Sequence, residues 1–155
     1  MATYSQQLQK YFKEYEKEVK STPVSSREVA IWAINTNRWK PRKADIIEQC
    51  ARDFAKAWRE EYRTDKFGRR YRAKHAVRIK QGDEQLTLWA DMDTAPRDHM
   101  EKAFSQRRKH IVGECHQLKV DVDYYNDKKK NEEPINLVLD FTEDVEELDY
   151  LDKAS

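Results

Sequence analysis

A chain of 155 residues supports one domain, or one small domain with an appendage, rather than two full-sized cores. Its 30 basic and 29 acidic residues nearly cancel, yet 4 Trp, 8 Tyr and 5 Phe are too many for a chain that packs nothing. No apolar run reaches the ~18 residues of a membrane helix, no signal-peptide pattern opens the chain, and Cys50 and Cys115 form no CxxC pair; the expectation is a soluble, cytoplasmic protein without disulfide scaffold, zinc framework or cofactor.

Residues 5–20 predict an amphipathic helix, because Leu8, Tyr11, Phe12, Tyr15 and Val19 form one stripe of a 3.6-residue period, and Ser21-Thr22-Pro23 should end it. Ser25 and Glu28 have the spacing of a capping box, and Val24 with Val29 that of a hydrophobic staple. The short helix that follows should stop at Asn35-Thr36-Asn37, which favour turns. A third helix is expected over 43–63, burying Ile46, Ile47, Cys50, Ala51, Phe54, Ala55 and Trp58 and presenting Arg52, Lys56, Arg59 and Arg63. Cys50 and Cys115, both on apolar stripes, read as buried thiols.

From Tyr71 the period changes to two. Tyr71, Ala73, His75, Val77 and Ile79 alternate with Arg70, Arg72, Lys74, Ala76, Arg78 and Lys80, a half-buried strand with one nearly all-basic face. Gln81-Gly82-Asp83 turns it into a returning strand with Leu86, Leu88 and Ala90 inward. Asp93 or Thr94 should then cap a long helix with Pro96 in its first turn. Its apolar residues Met100, Phe104, Ile111, Cys115, Leu118, Val122 and Tyr125 keep a heptad-like spacing, which suggests a homodimer through residues 100–125, although 119–124 also alternate as a strand does. A polar loop, a short apolar segment over 134–141 and an acidic tail complete the chain.

Charge is segregated. Residues 27–80 carry 16 basic and 7 acidic groups, whereas residues 131–155 carry 1 and 9. A basic middle with an acidic end suggests a body that binds a polyanion and a tail that competes with it or docks a protein partner through Ile135, Leu137, Leu139 and Phe141.

The order of elements, three helices, a basic ribbon and a further helix, resembles a winged helix-turn-helix domain. The resemblance implies a mainly α fold with a small β-hairpin, in four parts: an N-terminal amphipathic helix (1–22), a helix-turn-helix core with a basic wing (23–93), a long helix and loop (94–130) and the acidic tail (131–155). It implies a recognition helix at 43–63 and a wing at 70–91, binding double-stranded DNA as a transcriptional regulator or DNA-associated accessory factor. Helix cations suit a major groove about 12 Å wide and wing arginines suit phosphates. The candidate DNA-binding residues are Arg52, Lys56, Arg59, Arg63, Arg69, Arg70, Arg72, Lys74, Arg78 and Lys80. The connection Asn35–Arg42 is longer than the usual turn of this motif.

Two other classes fit parts of the sequence. A non-catalytic adaptor could use the same fold against an acidic partner. A small metal-dependent nuclease could gather His75, Asp91, Asp93 and His99 around a divalent ion. Gln85-Leu86-Thr87-Leu88-Trp89 is similar to the pentapeptide by which bacterial proteins bind the sliding clamp, but it falls inside a predicted strand. The layout of a helical basic body with an acidic extension is similar to that of the delta subunit of bacterial RNA polymerase.

Overall fold

The computed structural model describes residues 1–19 and 23–154. The chain forms two compact units, Met1–Asp53 and Phe54–Ser155, and passes from one to the other within a helix. The expected 23–93 core therefore has residues in both units.

In the first unit α1 (Tyr4–Glu18) begins with a capping box of Thr3 and Gln6, and α2 (Ser26–Asn35) with the expected one of Ser25 and Glu28. The expected stop at Ser21-Thr22 lies outside the described residues. Asn37 ends the α2 turn with a left-handed φ of 58°, a conformation asparagine tolerates better than most residues. Tyr15, 3% exposed, meets Trp32 edge-on at 5.4 Å. Arg38 lies 4.4 Å over the Trp32 ring and donates to Glu14 and Glu18. Trp39 Nε1 donates to Tyr4 Oη at 2.8 Å. Aromatic packing, tied at its rim by one arginine, thus holds α1 to α2. α3 (Lys43–Arg59) begins in this unit, where Ile46, Ile47 and Cys50 are exposed rather than buried as their spacing predicts. An apolar stripe shows which face could pack, not that a neighbour packs there.

The second unit holds the end of α3, four strands and two helices. α3 ends at Arg59, four residues before its expected end. The reason lies in Asp65, whose carboxylate accepts from the backbone N–H of Phe67 and Arg69, both at 2.9 Å, closing a turn in which Gly68 takes a φ of 80°. That turn joins β1 (Tyr62–Thr64) to β2 (Arg70–Arg72), a hairpin the periodicity does not reveal. Arg63 consequently lies on a strand, not on a helix.

The basic run predicted as one strand is two. Arg70–Arg72 pairs with β1, and β3 (Lys74–Gln81) pairs with β4 (Glu84–Asp91). Ala73, fully buried, makes the change of partner: its N–H donates to the Glu61 carbonyl and its carbonyl accepts from Met92 N–H. The β3–β4 register closes at Gln81↔Glu84 around Gly82-Asp83, and Gly82 supplies the positive φ (63°) that a type II′ turn requires first. The pentapeptide Gln85–Trp89 is an integral part of β4.

α4 (Arg97–Lys128) is one continuous helix, so residues 119–124 are helical. Its N-cap is Pro96 with no side-chain cap bond, in place of the expected Asp93 or Thr94, and Asp93 instead accepts from Arg63. Ala103, 4% exposed, and the edge-on Phe104–His75 pair at 5.3 Å seat α4 against β3. Gln106 donates to the Arg78 carbonyl and accepts from its N–H, satisfying both backbone groups on the open edge of the strand. The rest of the heptad-like stripe, including Ile111, Leu118 and Tyr125, is about half exposed, and Cys115 is half-buried. Asn126 clamps the backbone of Ile135 with two 2.9 Å bonds, and the acidic tail forms α5 (Thr142–Ala154) with Val145, Leu148 and Leu151 exposed. Among the described residues no helix is long and apolar enough to cross a membrane.

Candidate functional site

The alternation of β3 sorts its side chains. His75 and Val77 are buried on one face, while Lys74, Ala76 and Arg78 point to the other, where their cross-strand partners are Asp91, Trp89 and Thr87. Lys74, Ala76, Arg78, Trp89 and Thr87 of this second face, together with His75 but without Asp91, line a cleft of about 520 Å³. The end of α3 adds Arg59 at one side, and α4 adds Gln106, Arg107, His110 and Ile111 at the other. Arg72, from the end of β2, completes the ring of charge. Arg59, Arg72, Lys74, Arg78 and Arg107 thus share one concavity, and among the described residues no carboxylate lines it.

Of these five cations Lys74 is ion-paired, with Glu61. Arg59 lies 5.3 Å over the Trp89 ring, and Trp89 in turn contacts Trp58 at 5.4 Å. Arg72 is 3.4 Å from the Tyr62 hydroxyl. Arg107 is partly desolvated and repelled by Arg72, and both effects lower its pKa. Apart from Lys74, these like charges have no ion-pair partner among the described residues, an arrangement that is electrostatically unfavourable in itself and whose sign an anion reverses.

Four of the ten cations singled out in the sequence, Arg59, Arg72, Lys74 and Arg78, line the cleft. The others do not. Arg63 is bound to Asp91 and to Asp93, at 2.5 and 2.7 Å, which corrects its assignment as an outward-facing helix cation. Arg69 pairs with Asp65 at 2.7 Å, and Arg70 lies 4.0 Å over the Tyr62 ring. Lys56 and Lys80 are exposed outside the cleft, and Arg52 belongs to the first unit. Arg107 was missed, though it lies four residues after the buried Ala103 and hence on the same helix face, the signal that finds it.

The metal cluster imagined around His75 does not assemble. Arg63 occupies Asp91 and Asp93 and holds the Asp91 carboxyl down to about 2. His75 Nε2 bonds the Arg72 carbonyl at 2.9 Å, and His99 Nε2 bonds the His75 carbonyl at 3.0 Å. Among the described residues no three His, Cys, Asp or Glu side chains converge as metal ligands.

Burial lowers the His75 pKa, with Arg107 and Arg72 acting in the same direction against the bond to Arg72 O. The unfolded chain therefore takes up this proton first, near the ordinary value of about 6.5. The neutral ring's contribution to stability is complete above that pH and declines as pH falls through it. Thermal unfolding at pH 7.5 and 5.5 should show the loss on acidification, and His75→Gln should show less of it.

The first unit has a cleft of a different kind. About 530 Å³ between α1 and α2 is lined mainly by apolar groups, including Leu8, Phe12, Val29 and Ile34. Compared with protein-family models, with curated proteins and with solved structures, the chain matches none.

Proposed function

We propose that the protein binds nucleic acid through its phosphates, as a DNA-associated regulator or accessory factor, and that the cleft between β3–β4 and α4 is the contact surface. The observation that carries this reading is the set of five cations lining one concavity with no acidic residue among its described lining residues, Glu61 reaching Lys74 from outside it. A surface kept soluble by charge mixes both signs, whereas this lining carries one. The ribbon takes the role that a wing has in winged-helix proteins, and the helix cation Arg59 adds to it. Tryptophan beside arginine suits nucleic acid better than a small inorganic anion, because bases offer π-faces as well as charge.

With Lys74 already paired, about four cations remain to displace counter-ions. Plotted as log affinity against log salt, oligonucleotide binding should therefore be linear with a slope between about −3 and −4. A slope near zero, or the absence of binding at low salt, refutes the proposal. The adaptor reading rests on the exposed apolar faces of α3 and α5, and it predicts the capture of a folded protein with little dependence on salt.

A further inference from the structure

Resting on the nucleic-acid reading, we infer that the cleft accepts a single strand rather than a duplex, seating a phosphate between Arg72, Arg78 and Arg107 with a base laid against the Trp89–Arg59 stack. Size is the first argument. A cleft of about 520 Å³ falls in the range of small-ligand pockets, roughly 300–1,000 Å³, room for one or two nucleotides. A duplex is a convex cylinder with its bases stacked inside. It can reach cations at the rim of a concavity, but it cannot place a base against an aromatic ring on the floor.

Position is the second. Arg107 lines the cleft together with Arg72, which repels it, and its side chain stays open to solvent. A flexible strand can turn one phosphate into such a place. The rigid backbone of a duplex, with phosphates spaced on its outer surface, cannot do so without deformation.

The third is the aromatic surface itself. Trp89 and Arg59 both line the cleft, Arg59 lying 5.3 Å from the Trp89 ring centre, while Trp58 backs Trp89 at 5.4 Å with its plane tilted by 59°, so an indole and a guanidinium lie side by side where a base can contact them. A cationic groove with stacking side chains is the general solution to binding unpaired strands without reading their sequence. Thr87 and His110 in the lining add hydrogen-bonding groups for sugar or base. DNA and RNA strands share this chemistry.

The test is a set of fluorescence titrations of the full chain, at one ionic strength, with a ten-nucleotide oligo-dT, an oligo-rU of equal length and a ten-base-pair duplex. At least one single strand should bind tenfold or more tighter than the duplex and quench tryptophan emission in parallel; the tighter of the two identifies the preferred sugar. Trp89→Ala should weaken the strand by roughly 5- to 100-fold and Trp89→Phe by much less, following the energy of one base–aromatic stack. Arg107→Ala, which leaves the aromatic stack intact, should weaken it about tenfold. A duplex that binds as tightly as either strand overturns the single-strand inference and leaves nucleic-acid binding standing. Failure of all three to bind overturns both. Equal competition by inorganic polyphosphate removes the base-stacking component and with it the inference.

Discussion

Tyr15→Ala is expected to destabilise the first unit by about 3–5 kcal/mol, the range for truncating a buried aromatic ring. Tyr15 is 3% exposed, and its ring is the centre of a short chain of contacts. It meets Trp32 edge-on, Trp32 carries Arg38, and Arg38 binds Glu14 and Glu18, one on each side of Tyr15 in sequence. Removing the ring withdraws the apolar contact and the surface that positions the arginine. Among the described residues the buried apolar ones of this unit are Tyr15 and Ala33, so little else can compensate. Whole domains are stable by about 5–15 kcal/mol, and a loss of this size approaches the whole of what so small a unit can have. Urea unfolding followed by tryptophan emission in a Trp58→Phe, Trp89→Phe background reports it, since the remaining Trp32 and Trp39 are both in the unit. Tyr15→Phe keeps the packing and should remain within about 1 kcal/mol of wild type. If Tyr15→Ala also stays that close, α1 and α2 are held together by something other than this aromatic contact.

The parts of this fold legible in the sequence are those set by neighbours along the chain. Ser25 and Glu28 are three residues apart, and their capping bonds need nothing more distant. The alternation around His75 and Val77 states which side of β3 is buried, and Gly82-Asp83 states where it turns. Illegible were features that depend on distant partners. The β1 strand exists because Tyr62–Thr64 meets Arg70–Arg72 across an aspartate-closed turn, in residues whose short pattern fits the end of a helix equally well. The change of partner at Ala73 is invisible to periodicity, since the alternation continues through it without interruption.

The site was half legible for the same reason. A basic strand face is a local pattern, and it located Arg72, Lys74 and Arg78. Which arginines remain available to a ligand is decided by carboxylates elsewhere in the chain. Asp91 and Asp93 claim Arg63 across 28 and 30 residues, and Asp65 claims Arg69 within its own turn. Arg107 joins the cleft only because Ala103 and Gln106 dock α4 on the edge of β3.

Replacing Arg72, Arg78 and Arg107 together by alanine is expected to reduce oligonucleotide affinity about 100- to 1,000-fold near 0.1 M salt. Each phosphate contact contributes about 0.7–0.9 to the salt slope, so the slope should fall by between 2 and 3 as well. Arg97→Ala, which removes an exposed cation from the same helix outside the cleft, should change affinity by less than about twofold. Stability should move the other way. None of the three arginines is ion-paired among the described residues, and Arg107 is repelled by Arg72. Their removal relieves that repulsion while leaving Val77, Ala73 and Ala103 packed, so the melting temperature should hold or rise. Opposite signs for binding and stability would mark these charges as retained for a ligand, as residues at functional sites often are at the expense of the fold. If stability falls with affinity, the arginines act within the protein's own structure, and the cleft ceases to be evidence for a nucleic-acid partner.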